Sequence, residues 1–214
     1  IVVDNIVLIC NGEIYNYKQL YTLSNSIPTT NSDCEIIIHI YKKYGISTTL
    51  TMLDGVFAFM LYDMDKERIY VARDPYGVRP LYMATQVISN DINFQFTYIF
   101  SSEIKQINQS LMDTNIISFT PGHYICLKKT FNWQYIGFVK YIHEPSIQHY
   151  ISDTLNLNSL LQSALENAVK KRVEVTDRPI ACLLSGGLDS SLITALVCKY
   201  MDPTQLKTFS IGLP

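Results

Sequence analysis

The sequence lacks a surplus of positive charge and is poor in charged residues of either sign. It has 17 lysines and arginines against 19 aspartates and glutamates, and its net charge is −2. Proteins that hold nucleic acids by neutralising phosphates need a basic surface, so the charge argues against that class. The apolar runs are far shorter than the roughly 20 residues of a membrane helix, and the chain does not open with a signal peptide. These absences predict a cytoplasmic protein that binds neither nucleic acid nor membranes.

Closely spaced metal ligands are also missing. None of the five cysteines belongs to a CxxC pair, and the four histidines are scattered along the chain. Structural zinc sites are typically built from such pairs, so a zinc site is not expected. Because most of the cysteines lie in apolar runs, we expect them to be buried, reduced thiols.

Apolar residues are plentiful, at 48% of the 214 residues, which is enough for one large domain or two small ones. The first part of the chain, residues 1–145, is rich in strand patterns. The runs at 55–63 and 68–73 are separated by a polar turn and predict a hairpin.

Two helices are expected among these strands, at residues 13–23 and 32–45. The second is the better signalled, because Ser32 and Glu35 fit a capping box. Gly45 is well placed to end it.

The pattern changes after a polar segment at residues 146–158, which we interpret as a linker. Residues 159–214 predict a helix, a strand, a Ser-Gly-Gly turn, a second helix and a second strand. Strand, helix and strand in this order are typical of the start of a parallel α/β sheet.

The segment SGGLDSS follows an apolar strand and opens a helix. Gly186 and Gly187 allow a sharp turn and a close approach to a ligand, and a helix N-terminus favours anions. Ser185 and Ser190 add hydroxyl donors. Asp189 would repel a phosphate directly but suits a Mg²⁺ ion held between the two. The segment therefore predicts a site for ATP with Mg²⁺, although an ordinary strand–helix turn capped by Asp189 or Ser190 stays open.

This loop resembles the pyrophosphate-binding loop of the PP-loop ATP pyrophosphatases. Further motifs follow the order found in one such family, the glutamine-hydrolysing asparagine synthetases (asparagine synthetase B). They are NGEIYNY, SDCE, LDGVFAFMLYD, ARDPYGVRPLY, SSEIK, PGHY and TFSIGLP. The resemblance covers essentially the whole chain. It implies an incomplete α+β sandwich of the N-terminal-nucleophile type, a class II glutaminase, over residues 1–145, and the start of an α/β parallel-sheet PP-loop domain over residues 159–214.

The resemblance also implies a glutamine site. Asn11 would form an oxyanion hole with its side-chain amide and Gly12 with its backbone N–H, where neutral, fixed donors suit developing negative charge. Glu13 would complete the glutamine-binding stretch, and Asp33 would hold the α-amino group of glutamine. Asn11–Gly12 can also be read as a tight turn after a strand, and Asp33 as an ordinary helix cap.

In the second domain, Leu183 and Ile211 match positions that line an adenine pocket, although a plain core role is equally open for both. Asp189 would be the metal ligand. The residues implied to hold pyrophosphate and its Mg²⁺ are Ser185, Gly186, Gly187, Asp189 and Ser190. Structural roles are expected first for Arg73, Asp74, Arg79 and Glu103.

The sequence departs from the family at its first residue. The family's nucleophile is a cysteine at the mature N-terminus, whereas this chain begins with Ile1, and neither Cys10 nor Cys34 is expected to replace it. The chain therefore looks like an internal fragment, inactive alone. The intact protein is expected to use glutamine, aspartate and ATP to make asparagine through a β-aspartyl-AMP intermediate, with a homodimer left open.

Three other functions share features with this sequence. A β-lactam synthetase shares the architecture, but its glutaminase half is typically degenerate, whereas NGE and SDCE are intact here. A degenerate, non-catalytic binding protein is supported by the missing nucleophile alone. Glutamine phosphoribosyl- or fructose-phosphate amidotransferases lack the SGGLDSS loop.

Overall fold

The structure, a computed structural model, describes residues 1–90, 93–110, 115–142 and 154–212, except the side chains of residues 88–90, 93–95, 108–110 and 154–156. The chain divides into two compact units, Ile1–Glu144 and Pro145–Pro214. None of the described helices combines the length and apolar character needed to cross a bilayer.

The first unit is built mainly from antiparallel strands. The strands are β1 (Val2–Val3), β2 (Ile6–Ile14), β3 (Gly55–Asp63), β4 (Arg68–Arg73), β5 (Tyr82–Asn90), β6 (Asn93–Ser101), β7 (Ile116–Ser118), β8 (His123–Lys129) and β9 (Trp133–Lys140). The helices are α1 (Tyr17–Ser24), α2 (Ile36–Met52) and α3 (Ile104–Ser110), and a 3-10 turn covers Asp33–Glu35. One sheet has the order β1-β2-β3-β4-β8-β9 and the other the order β6-β5-β7.

Alternating side chains give the six-stranded sheet an apolar layer on each face. On β3, Phe57 and Phe59 belong to the cluster that includes Ile37 and Ile40 of α2. Ala58, between them, belongs to a second cluster, which includes residues of β5 and β6. The large sheet is therefore packed between a helical layer and the small sheet.

Several local predictions are confirmed. The hairpin has the expected bounds, since β3 and β4 pair antiparallel over 55–63 and 68–73. Gly45 breaks α2 at φ 77°, a left-handed conformation that favours glycine, and helical residues then continue to Met52. The first predicted helix is corrected at its start: it begins at Tyr17 rather than Glu13, because residues 13 and 14 pair with β3.

The turn after β4 is organised around the carboxylate of Asp74, which is completely buried. Its Oδ1 accepts hydrogen bonds from the N–H groups of Tyr76 and Val78, at 3.0 Å each. Its Oδ2 accepts from the N–H groups of Arg79 at 3.0 Å and Phe57 at 3.3 Å. One buried side chain thus satisfies four backbone donors.

Arg73 holds the same turn from the other side. Its guanidinium donates to the carbonyl oxygens of Arg79 and Phe119 at 2.7 Å and of Gly77 at 2.9 Å, and to Ser118 Oγ at 3.1 Å. The structural roles expected for Arg73 and Asp74 agree with these contacts.

The second unit contains a parallel strand pair. Its elements are α4 (Thr154–Val175), β10 (Ala181–Leu183), α5 (Leu188–Tyr200), a 3-10 turn (Pro203–Gln205) and β11 (Lys207–Phe209). β10 and β11 pair in parallel from Ala181↔Lys207 to Leu183↔Phe209. Its core contains Val169, Cys182, Leu196 and Val197. The predicted strand, helix and strand are therefore present.

The predicted linker needs a correction at its end. Residues 146–153 lie outside the described residues, as do Leu213 and Pro214 of the TFSIGLP motif. Residues 154–158 are helical, because α4 begins at Thr154. Their Thr and Asn residues favour caps and turns but are tolerated in the first turns of a helix, so composition alone hid the helix start.

We expect Asp74→Ala to lower the free energy of unfolding of the first unit by roughly 3 kcal/mol, because it leaves four N–H groups, one of them buried on β3, without an acceptor. Urea unfolding followed by circular dichroism measures the change. Asp65→Ala, which removes an exposed carboxylate of the turn between β3 and β4, is the control and should cost little. An equal loss in both variants would contradict the role given to Asp74.

Candidate functional site

Asn11, Gly12 and Glu13 lie inside β2, where they pair with residues 56–58 of β3. The alternative that Asn11–Gly12 form a tight turn is therefore wrong. Asn11 and Glu13 are exposed on one face of the strand. Asn11 also lines a cavity of about 220 Å³.

The backbone of Gly12 is turned away from β3. Phe57, its pairing partner, directs its own N–H and C=O to Asp74 on the β4 side. In an antiparallel ladder, opposed residues either exchange both hydrogen bonds or neither. The N–H and C=O of Gly12 therefore point to the open side of β2, as does the N–H of Ile14 two residues later.

Glycine is required at position 12 by strand packing. A Cβ there would lie 2.4 Å from the Val56 carbonyl oxygen and 2.8 Å from the Phe57 Cα. Any side chain would push β2 away from β3, so the strand that carries the candidate site keeps its place only with glycine.

The 3-10 turn brings Asp33 onto this open side. Asp33 Oδ2 accepts a hydrogen bond from the Ile14 N–H at 2.5 Å. The Cys34 thiol donates weakly to the Gly12 carbonyl oxygen at 3.6 Å. The predicted residues Asn11, Gly12, Glu13 and Asp33 are thus brought to one strand and the turn beside it.

The structure gives Glu35 a different role from the capping-box role that the sequence predicted. Ser32 Oγ does accept from the Cys34 N–H at 3.3 Å, as a cap should. The completely buried Glu35 instead accepts from the backbone N–H of Thr29 at 2.7 Å and of Thr30 at 2.6 Å, and from both hydroxyls. His39 Nε2 lies 2.9 Å from the same carboxylate. The signal in the sequence that could have indicated this role is the histidine four residues after the glutamate.

These contacts decide the ionisation of Glu35. Burial alone would raise the pKa of the carboxyl group, but the hydrogen bonds from His39, Thr30 and Thr29 outweigh it and hold the pKa at about 2. Glu35 is therefore an anion over the whole physiological range, fixed beneath the turn that carries Asp33.

The two nearby cysteines are poor candidates for a nucleophile. Contact with the Cys34 thiol and burial raise the pKa of Cys10 well above its usual range. Since the thiolate is the reactive form, Cys10 is unreactive at neutral pH. Cys34 is buried against β2. Both agree with the expectation that neither residue is catalytic.

The loop of the second unit has an open backbone. Gly186 has φ 84°, and nothing lies within 4 Å of the place of a Cβ. Gly187 is the N-cap of α5 without a side-chain cap hydrogen bond, so the alternative of a cap by Asp189 or Ser190 is wrong. Ser185 Oγ lies 3.0 Å from Ser190 Oγ.

Asp189 is exposed in the first turn of α5. Within the described ranges, no three histidine, cysteine, aspartate or glutamate side chains gather in a way that could hold a metal ion. A cation at Asp189 would therefore need further ligands from its own phosphate partner.

Leu183 and Ile211 are both exposed in the part of the chain that the structure describes. Leu183, the last residue of β10, is 81% exposed, and Ile211, beyond β11, is fully exposed. Hydrogen bonds connect the chain segments that carry them. The Leu184 N–H donates to the Phe209 carbonyl oxygen at 2.8 Å, and Ser210 Oγ donates to the Leu184 carbonyl oxygen at 2.6 Å. Both therefore lie beside the loop at the carboxyl ends of the parallel strands.

Comparison with known families gives two matches. Residues 2–142 match the profile of the glutamine amidotransferase domain, and residues 160–214 match that of asparagine synthase. Curated relatives named asparagine synthetase [glutamine-hydrolyzing] are 40% identical in Mus musculus, 38% in Gallus gallus and 37% in Homo sapiens. Each match covers 95% of this chain and 38% of the relative. The resemblance inferred from the motifs is confirmed.

Two solved structures have a similar fold. Glutamine phosphoribosylpyrophosphate amidotransferase from B. subtilis, complexed with ADP and GMP, matches with a TM-score of 0.50 and 21% identity over 98% of this chain and 46% of that chain. The allosteric regulatory enzyme of purine biosynthesis matches with a TM-score of 0.50 and 22% identity, over 96% and 44%. At these identities the likeness shows the fold, a mixed α/β arrangement with antiparallel sheets like that of class II amidotransferases.

We expect Gly12→Ala to destabilise the first unit by roughly 2–3 kcal/mol, because the added methyl group overlaps the β3 backbone. Gly137→Ala on β9, where the nearest atom is 3.8 Å from a Cβ, is the matched control in the same sheet. Urea unfolding of both variants provides the test, and equal stability of the two would contradict the packing argument.

Proposed function

The chain belongs to the glutamine amidotransferase domain family, and from this premise we propose that its first unit binds glutamine for hydrolysis to glutamate and ammonia. The hydrogen bond from the Ile14 N–H to Asp33 Oδ2 is the observation that carries the proposal. It holds a carboxylate beside the strand that presents an amide side chain and a backbone N–H to solvent.

Each residue of this site has a role that fits its chemistry. Asn11 and the outward N–H of Gly12 are neutral donors for the oxyanion that forms when the glutamine amide is attacked. The remaining Asp33 oxygen suits the α-ammonium group of glutamine. Glu13, exposed on the same strand, completes the glutamine-binding stretch.

The second unit is proposed to bind ATP at its loop. The open backbone at Gly186 and Gly187, the hydroxyls of Ser185 and Ser190 and the N-terminus of α5 suit the pyrophosphate portion of ATP. The exposed Asp189 carboxylate would hold Mg²⁺ together with phosphate oxygens, and the ion would neutralise their charge. Leu183 and Ile211 are apolar surfaces beside the loop, suited to adenine.

The chain spans 38% of the length of the curated relatives it matches, so the complete reaction is proposed for the whole protein. ATP adenylates the β-carboxylate of aspartate and releases pyrophosphate. Ammonia from glutamine then attacks the β-aspartyl-AMP, giving asparagine and AMP. The name of these relatives, glutamine-hydrolysing asparagine synthetase, favours this reaction over β-lactam synthesis and over a non-catalytic binding role.

The proposal divides the chain into a glutaminase domain over residues 1–145, a connection over 146–153 and the first part of a PP-loop domain that begins with α4 at Thr154. We propose cytoplasmic localisation, because all five cysteines are free thiols, which suits a reducing compartment.

In the whole protein, Asp189→Ala should abolish asparagine synthesis and spare glutamine hydrolysis, because the metal-binding carboxylate acts only in the second reaction. Asparagine and glutamate are quantified separately. The control is Asp177→Ala, which removes another exposed aspartate of the same unit. Loss of both activities together in the Asp189 variant would contradict the assignment of two sites.

A further inference from the structure

We propose that Glu35 is a positioning residue for Asp33 and so sets the affinity of the site for the ammonium group of an amino-acid substrate. The inference rests on the proposed function of the first unit. Glu35 does not touch the substrate in this account. It acts by holding the loop that precedes the 3-10 turn.

Several hydrogen bonds converge on the buried carboxylate of Glu35. Glu35 is fully inaccessible to solvent, and each of its oxygens accepts from a backbone N–H and a hydroxyl of the Thr29–Thr30 pair, over distances of 2.6–3.0 Å. His39, one turn later on α2, contacts Oε1 at 2.9 Å. The loop is therefore fastened to α2 through one side chain.

Further hydrogen bonds connect this clamp, which consists of Glu35, Thr29, Thr30 and His39, with Asp33. The Thr30 hydroxyl donates to Glu35 Oε2 at 2.6 Å and accepts from the Ser32 N–H at 3.2 Å. Ser32 Oγ in turn accepts from the Cys34 N–H at 3.3 Å. Asp33 lies between Ser32 and Cys34, so its backbone is held on both sides, and the hydrogen bonds that hold the Ser32 side lead through Thr30 to Glu35.

Asp33 must hold both of its carboxylate oxygens in place to fulfil its proposed role. One of its oxygens accepts from the Ile14 N–H at 2.5 Å. The other must stay in place for a substrate ammonium group, and charged hydrogen bonds of this kind depend strongly on geometry. A carboxylate on a mobile turn would bind the ammonium group more weakly, because binding would then cost the conformational entropy of ordering the turn.

Titratable groups that face Glu35 come from several elements. His39 is on α2, Asp33 on the 3-10 turn and Tyr21 on α1, where its ring lies 5.5 Å from that of His39. Asp4, before β2, contributes a charge beside His39. Removing the Glu35 charge would alter this whole set, so the cleanest test changes an uncharged member of the clamp.

The test uses Thr30→Val and Thr30→Ser in the whole protein, together with Glu35→Gln. Valine keeps the shape of threonine but removes the hydroxyl, whereas serine keeps the hydroxyl. In glutamine hydrolysis, Thr30→Val and Glu35→Gln should raise KM for glutamine about tenfold and leave kcat within about twofold, since Asp33 binds the ground state and transition state alike. Thr30→Ser should stay within about twofold of the unaltered protein in both constants.

A second measurement is independent of activity. Hydrogen exchange of the Ile14 amide, followed by mass spectrometry, should be about tenfold faster in Thr30→Val than in Thr30→Ser, because the Asp33 acceptor becomes mobile. Equal exchange in the two variants, or a fall in kcat at unchanged KM, would overturn the positioning role. Absence of glutamine hydrolysis in the unaltered protein would defeat the proposed function, and the exchange comparison would still decide the role of Glu35.

Discussion

The hydrogen bond between the Ile14 N–H and Asp33 Oδ2 joins the two parts of the candidate glutamine site. β1 pairs with Ile6 and Val7 of β2, and Ile1 exchanges two hydrogen bonds with Leu8. Further along β2, the Gly12 carbonyl oxygen and the Ile14 N–H meet side chains of the 3-10 turn. A strand would have used every one of these groups in a ladder. A turn satisfies the Ile14 N–H with a carboxylate and leaves the outward N–H of Gly12 directed toward open space, which is what an oxyanion site needs.

Much of the local structure could be predicted from the sequence, because short-range rules decide it. The hairpin of β3 and β4 follows from alternating apolar residues around a polar turn, and the break at Gly45 follows from the conformational freedom of glycine. The loop before α5 was located by its glycines and serines. In each case the residues that determine the structure are neighbours in the chain.

The features that were not predicted depend on contacts that form only in the folded chain. Asn11–Gly12 has the composition of a turn, yet it is a strand because β3 pairs with it so closely that only glycine fits. Glu35 has the spacing of a capping-box residue, but its carboxylate instead binds Thr29, Thr30 and His39. Three of the four N–H groups that donate to Asp74 belong to its own turn, whereas the fourth, that of Phe57, lies on β3 and meets the carboxylate only in the folded sheet.

The central claim, that both units serve one transfer of nitrogen, is tested most directly with the whole protein and glutamine labelled with ¹⁵N in its side-chain amide. In the presence of aspartate, ATP and Mg²⁺, the label should appear in the side-chain amide of asparagine, with one AMP formed for each asparagine. Glutamine consumption without labelled asparagine, or asparagine formed with ADP instead of AMP, would contradict the account.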